Sequence, residues 1–250
     1  MGIDTHLFNF LRYAKKFGNF NNTLTLGRQA LHIDQNYIAK HIENYSSYQN
    51  EDYCENMLCS AFGSTSVSSI DNSDYEGATI VMNLNNPIAD EYIGAFDTII
   101  DGGCSEHIFN IPTVLLNMAR MSKVGGQIIH ALPANNFCGH GFWQFSPELF
   151  FSLYNTENGY TDTEVFLADL NDISKWVKVS APKNGDRVNF YSSNPAYVLV
   201  RTLTTRVISD FHNVQQSDYI KSWKDGQLVS NSKPSSFYLN DISLDFLSIL

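Results

Sequence analysis

Phe96-Asp97-Thr98-Ile99-Ile100-Asp101-Gly102-Gly103 is a β-rich run that closes on an acid and two glycines, and the rest of the chain reads outward from it. β-Branched and aromatic residues followed by Asp and Gly predict a strand and its turn. Downstream, Ile111 to Met121 sets Val114, Leu115, Met118 and Met121 on one side of a helix, and Gly125-Gly126 closes it before a strand from Gln127 to Leu132. Upstream, Thr23-Leu24-Thr25-Leu26 runs into Gly27, and a helix through Ile38 and Ile42 follows with Asp34 as its cap. Ser66 to Ile70 ends at Asp71, and Thr79 to Met82 ends at Asn83. Strands alternating with helices predict a doubly wound, mostly parallel sheet covered on both faces, a three-layer αβα arrangement. Ligands of such sheets sit outside the carboxyl ends of the strands. The polar strand ends are therefore the candidate site.

Residues 1–22 hold an amphipathic helix, Thr5 to Phe17, which Gly18 stops and which is expected to pack across the edge of a core. Residues 23–205 form the α/β domain. Two longer strands near its end, Thr163 to Leu170 and Tyr197 to Thr204, predict an antiparallel edge, with Pro182 and Asn184-Gly185 in the polar stretch between them. Residues 206–250 are rich in Ser, Asn and Asp, show little periodicity and read as an extension wrapping the core or meeting a partner.

The chain has 250 residues with 26 acidic and 16 basic side chains, a formal charge of −10. Nucleic-acid affinity rests on clustered Lys and Arg, so a nucleic-acid partner is not expected. The acidity is local: residues 51–110 hold eleven carboxylates and no Lys or Arg, and they include three of the strand ends. The predicted cleft therefore carries a negative potential that favours a cationic ligand. No apolar run reaches the roughly 20 residues of a membrane span. The first twenty residues lack a signal peptide's pattern, and His6 stands where a myristoylation signal needs Ser or Thr. Cys54, Cys59, Cys104 and Cys138 form no CxxC pair and read as reduced thiols. A cytoplasmic protein is expected, in which the sequons at Asn21 and Asn44 have no meaning.

The order of these elements resembles class I S-adenosylmethionine-dependent methyltransferases. The resemblance lies in an aspartate closing the second strand, a polar residue closing the third, Phe96 to Gly103 as the fourth, Glu106-His107 after it, and Lys123-Val124-Gly125-Gly126 before the fifth. It covers about Thr23 to Thr204 and implies a Rossmann-like fold. Ser73 to Ala78 together with Asn135 to Glu148 further resembles a little-characterised bacterial subgroup of that family. One departure stands out. The family ends its first strand with an acid and a GxGxG-type loop, whereas this chain has Leu26-Gly27-Arg28-Gln29-Ala30. Gly27 and Arg28 fall at the cofactor's methionine end, where Arg28 either pairs with its carboxylate or is a surface residue.

The resemblance implies S-adenosylmethionine as cofactor, with Asp71 accepting from the ribose hydroxyls, Asn83 and the Leu84 N–H meeting the adenine, and Asp101 facing cofactor or substrate. For each, a turn or helix cap is the alternative. Methyl transfer needs an aligned nucleophile and, for a hydroxyl, a base. His107 beside Glu106, and His140 between Gly139 and Gly141, are the catalytic candidates; Glu106 and His107 are also the one pair considered for a divalent ion, although no metal is expected. Phe142 and Trp143 offer an apolar wall for a sugar or planar acceptor, with Gln144 to orient it, or they plug the core. Ser146-Pro147 reads as a helix start. The implied activity is methylation of a small molecule, for instance a sugar or surface-polysaccharide precursor, by a monomer or homodimer. The competing reading is a binding module that has lost its cofactor. A nicotinamide enzyme is disfavoured because no GxGxxG follows the first strand.

Overall fold

Asp4 caps the first helix by accepting the Leu7 N–H at 2.8 Å, so strand β1 (Gly2–Ile3) passes at once into α1 (Thr5–Lys15). There follow β2 (Asn21–Leu26), β3 (Ala30–Leu31), α2 (Gln35–His41), α3 (Glu55–Phe62), β4 (Ser64–Asp71), β5 (Ile80–Val81), β6 (Phe96–Gly102), α4 (Ile111–Met121) and β7 (Ser122–Asn135). The second half contains α5 (Pro147–Leu153), β8 (Tyr160–Asp169), β9 (Lys175–Val179), β10 (Val188–Tyr191), β11 (Ala196–Thr204), α6 (Ser217–Asp225), β12 (Ser235–Tyr238) and β13 (Leu244–Asp245). The computed structural model describes residues 2–42, 45, 52–183, 185–226, 235–238 and 244–245. Met1, Asn44 and Ser46 of the second sequon, Asn184, and most of the tail beyond Gly226 lie outside the described residues.

Nine strands form the main sheet in the order β13-β9-β8-β11-β7-β6-β2-β4-β5. From β7 to β5 every pairing is parallel. The antiparallel pairs gather on the other side, as expected, but β11 does not form the rim. It is inserted between β7 and β8 and runs against both, so β8 again points the same way as β7, and β9 lies outside it. The chain leaves β2 toward β4 and β5, then crosses to β6 and β7 on β2's other flank. The direction reverses between β2 and β6, and the crevice at such a reversal is where an open sheet takes its ligand.

Period-two alternation builds two cores. Ile99, Ile128, Val198 and Val200 face the layer of α4 and α5, while Ile100, Ile129, Leu199 and Phe166 face the layer of α1 and α3. α1 is thus seated on the sheet face rather than across an edge. Residues that look polar in the sequence are buried there by specific bonds: Asn9 Nδ2 donates to the Tyr37 hydroxyl at 3.1 Å, Tyr13 donates to Glu164 at 2.7 Å, and Trp176 Nε1 donates to His6 at 3.2 Å. Gly125-Gly126 also departs from expectation, because β7 begins at Ser122 and runs through both glycines. The register shift opposite Phe96–Thr98 absorbs the irregularity, and a Cβ at Gly126 would meet the Asp97 carbonyl at 2.8 Å. In the described parts of the tail, β12 pairs with β10 in a separate two-stranded sheet and β13 joins the main sheet beside β9. No helix among the described residues is long and apolar enough to cross a membrane.

Candidate active site

Asp101 ends β6 fully buried, and it is consumed by the fold. Its carboxylate accepts the N–H groups of Cys104 and Ser105 at 3.2 Å each, the Ser105 hydroxyl at 2.5 Å, and Nδ1–H of His130 at 3.1 Å. Four donors fill the roughly four lone-pair sites of an ionised carboxylate, which leaves none for a ligand. Of the two readings given above, the structure places Asp101 in the capping one. His130, from β7, is fixed at its other nitrogen by the Tyr154 hydroxyl at 2.7 Å. This buried Asp–His–Tyr chain was not read from the sequence; its one visible signal is a histidine inside the otherwise apolar run from Ile128 to Leu132. It locks the short 3₁₀ turn Ser105–His107, and that turn aims Glu106.

Glu106 is only 1% exposed. Oε1 lies 3.8 Å from His107 Nε2 and 3.5 Å from His140 Nε2, and Oε2 is buried without a hydrogen-bond partner. Burial, followed by the neighbouring Asp101 charge, pushes the carboxyl up to about 8. Burial and the nearby His140 lower His107 from its ordinary value. The loop carrying His140 is pinned to the same turn, since the Glu106 carbonyl accepts the N–H groups of Phe142 at 2.7 Å and Trp143 at 3.3 Å. Gly141 makes this approach possible: it sits at φ +74°, and a Cβ there would be 2.8 Å from the Glu106 carbonyl oxygen. The three candidate catalytic side chains, 34 residues apart at the extremes, thus converge.

They line a cavity of about 220 Å³ whose walls also include Asp4, His32, Gly102 and Tyr197. A second cavity, of about 400 Å³, opens at the ends of β4 and β5 and is lined by Asp71, Asn83, Leu84 and Cys104. His107 lines both. One Asp71 oxygen accepts the Asn72 N–H at 2.6 Å; the other takes no hydrogen bond among the described residues. Asn83 uses its side-chain oxygen in the chain turn, accepting from the Asn85 N–H and amide at 3.0 and 2.9 Å. Leu84 is buried and contributes apolar wall.

The first-strand loop shows where its missing glycines went. Gly27 is buried at φ +67° and donates to the Ile70 carbonyl at 2.8 Å. Arg28 turns away from the crevice: Nε pairs with Glu55 at 2.6 Å, Nη1 donates to the Glu76 carbonyl at 2.9 Å, and the guanidinium covers Tyr53. Its charge is neutralised within the fold. Gln29 folds back instead, donating to the Leu26 carbonyl at 2.6 Å, and its buried Oε1 has no partner. That oxygen is 2.6 Å from where a Cβ on Gly102 would stand, so Gln29 fills the gap between β2 and β6. Nothing in the residue pattern singled it out. The aromatic candidates lie elsewhere. Phe142 is exposed, Trp143 donates to the Ile108 carbonyl at 2.9 Å, and Gln144 accepts the Phe137 N–H at 2.9 Å. Trp143 and Gln144 line a separate apolar cavity of about 600 Å³ beside α4 and α5.

The raised Glu106 carboxyl has a consequence for stability. The folded protein keeps this proton to about pH 8 while the unfolded chain loses it near 4.5, so the stability it contributes is present below pH 4.5 and is lost as pH rises through 8. The groups facing it are Asp101 from β6, His107 from its own turn and His140 from the loop after β7. Urea titrations in EDTA-containing buffer are expected to show wild-type stability falling by on the order of a few kcal/mol across this window relative to Glu106→Gln. Parallel profiles for the two proteins would contradict it.

No protein-family model matches this chain, and no curated protein does. Solved structures overlap it in part. A possible histamine N-methyltransferase from Thermotoga maritima, described as S-adenosylmethionine-dependent, aligns over 79% of this chain and 88% of its own at 10% identity and TM-score 0.46. The N-methyltransferase NodS from Bradyrhizobium japonicum aligns over 80% and 94% at 14% identity and TM-score 0.45, and its complex with S-adenosyl-L-homocysteine over 81% and 89% at TM-score 0.44. A branched-chain polyamine synthase from Thermus thermophilus aligns over 84% and 60% at 15% identity and TM-score 0.42.

Proposed function

We propose that this protein is an S-adenosylmethionine-dependent methyltransferase acting on a small molecule by direct displacement. The observation that carries the reading is His107, which lines both the cavity of Asp71 and the cavity of Glu106 and His140. The cofactor has the first cavity, whose volume falls in the usual range of about 300–1,000 Å³ for ligand sites. Asp71 would hold the ribose hydroxyls with its free oxygen, and the Leu84 N–H would meet the adenine. When bound, the cofactor would supply a methyl on a sulfonium, whose carbon–sulfur bonding pair would leave with sulfur as the acceptor's lone pair forms the new bond. The second cavity holds the acceptor, a hydroxyl or amine such as a sugar carries. Its walls remove water, align the nucleophile toward His107 and receive its proton.

Calorimetric titration with S-adenosylmethionine and S-adenosylhomocysteine tests the reading. Binding is expected, and Asp71→Ala is expected to weaken it by about 10- to 100-fold through loss of charge-assisted hydrogen bonds. Unchanged affinity in the variant would refute the ribose role. No binding at all would leave the second reading, a module whose cofactor site Gln29 has closed.

A further inference from the structure

We infer that Glu106, His107 and His140 form a site for one divalent transition-metal ion, with an open position for the acceptor's heteroatom. Their donor atoms all lie within 4.8 Å of one another. Tetrahedral coordination at about 2.0–2.1 Å places neighbouring donors about 3.4 Å apart; the two Glu106–histidine separations are 3.5 and 3.8 Å, within a small rotation of that geometry. The two imidazoles meet edge to face at 5.0 Å, both presenting Nε2 to the same carboxylate. Two imidazole nitrogens and a carboxyl oxygen turned toward one point are the donor arrangement that a bound cation takes up. The second Glu106 oxygen is the independent sign: it is buried and unpartnered, in a residue 1% exposed, although a buried carboxylate oxygen left alone is costly. An ion chelated by the carboxylate satisfies both oxygens at once and leaves a fifth position open.

The donor set selects the ion. Two imidazoles and one carboxylate suit Zn²⁺, Fe²⁺ or Co²⁺, whereas Mg²⁺ and Ca²⁺ prefer all-oxygen shells. Three protein residues with a coordination position left open are the pattern of a working rather than a structural site. The histidines are partly exposed, which gives the ion a way in, and Asp4 and His32 on the same cavity add negative and polar wall. The ion's role toward the acceptor rests on the methyl-transfer reading; its binding does not. A hydroxyl bound to the ion gives up its proton to solvent near neutral pH, because the cation stabilises the alkoxide. The resulting oxygen then uses its lone pair as described above, and no histidine need take the proton.

The test uses the full chain, stripped with chelator and titrated with Zn²⁺ by calorimetry and with Co²⁺ by visible absorption. One ion per chain is expected, with ligand-field bands of a tetrahedral or five-coordinate centre. His140→Ala and Glu106→Gln should each weaken Zn²⁺ binding at least about 100-fold, beyond the 10- to 100-fold typical of losing a mere outer partner. Cys138→Ser should leave it unchanged, and Mg²⁺ should not compete. Wild-type affinity in both ligand variants would overturn the site, as would a dependence on Cys138. Circular dichroism confirms that the variants are folded, and His140, on an exposed loop, is the one whose replacement leaves the core untouched. S-adenosylhomocysteine titrated in parallel separates the failures: ion binding without it sinks the methyl-transfer reading alone, and its binding without the ion sinks the metal site alone.

Discussion

Asp101→Ala is expected to lower the stability of this protein by about 3–5 kcal/mol, because several buried donors lose their acceptor at about 1–3 kcal/mol each. The carboxylate and His130 are both fully buried, and the alanine strands an imidazole N–H, a serine hydroxyl and two backbone N–H groups away from water. In a chain of this length the loss corresponds to a fall in Tm of roughly 6–20 °C. Asp101→Asn keeps the volume and an oxygen for the Cys104 and Ser105 N–H groups, but it turns an amide against His130 or Ser105, so its cost should be intermediate. The variant also frees the turn that aims Glu106, and affinity for Zn²⁺ should fall with stability. A change in unfolding free energy below about 1 kcal/mol for the alanine would show that the network is not holding the turn.

On the proposed methyl-transfer reading, Glu106→Gln is expected to abolish activity to within background, a loss of about 10²- to 10⁴-fold or more. Glutamine has the same shape and fills the same pocket, so the Phe142 and Trp143 bonds to the residue's carbonyl persist and the loop stays closed. What disappears is the carboxylate that the proposed site offers to the ion. Affinity for S-adenosylhomocysteine should stay within about twofold, because Glu106 lines the smaller cavity and not the one lined by Asp71. Transfer of a labelled methyl group from S-adenosylmethionine into a panel of hydroxylated and amine acceptors reads the effect. Activity within a few-fold of wild type would remove Glu106 from the chemistry.

Much of this arrangement was legible before any coordinates. Asp34 and Ser146 cap helices as their spacing predicts, accepting the N–H groups of Asn36 and Glu148, and α4 spans the residues read for it. These are local events, decided within one turn of chain. The polar ends of β4, β5 and β6 do line up with the end of β2 on one side of the sheet, since parallel strands place all their carboxyl ends together. The place of β11 was not legible, because strand order depends on which long-range pairing buries most surface rather than on any residue in the strand. The expected segregation of negative charge also changed in the fold. Glu55 pairs with Arg28, Asp97 with Lys123 and Asp90 with Arg120, so the cations that the acidic segment lacks are brought to it from elsewhere.

By itself, then, the sequence determined the alternation of strands and helices, the doubly wound sheet, the crevice and the chemical types available at its rim, because hydrophobic period and turn chemistry act over a few residues. Tertiary structure alone decided which of those polar groups stay available. Asp101, Arg28 and the Asn83 oxygen are taken up by partners close at hand in space, while Gln29 Oε1 and Glu106 Oε2 are left buried without one. A hydrogen bond, unlike a hydrophobic period, belongs to a pair of atoms, and its second member is known only once the chain has folded.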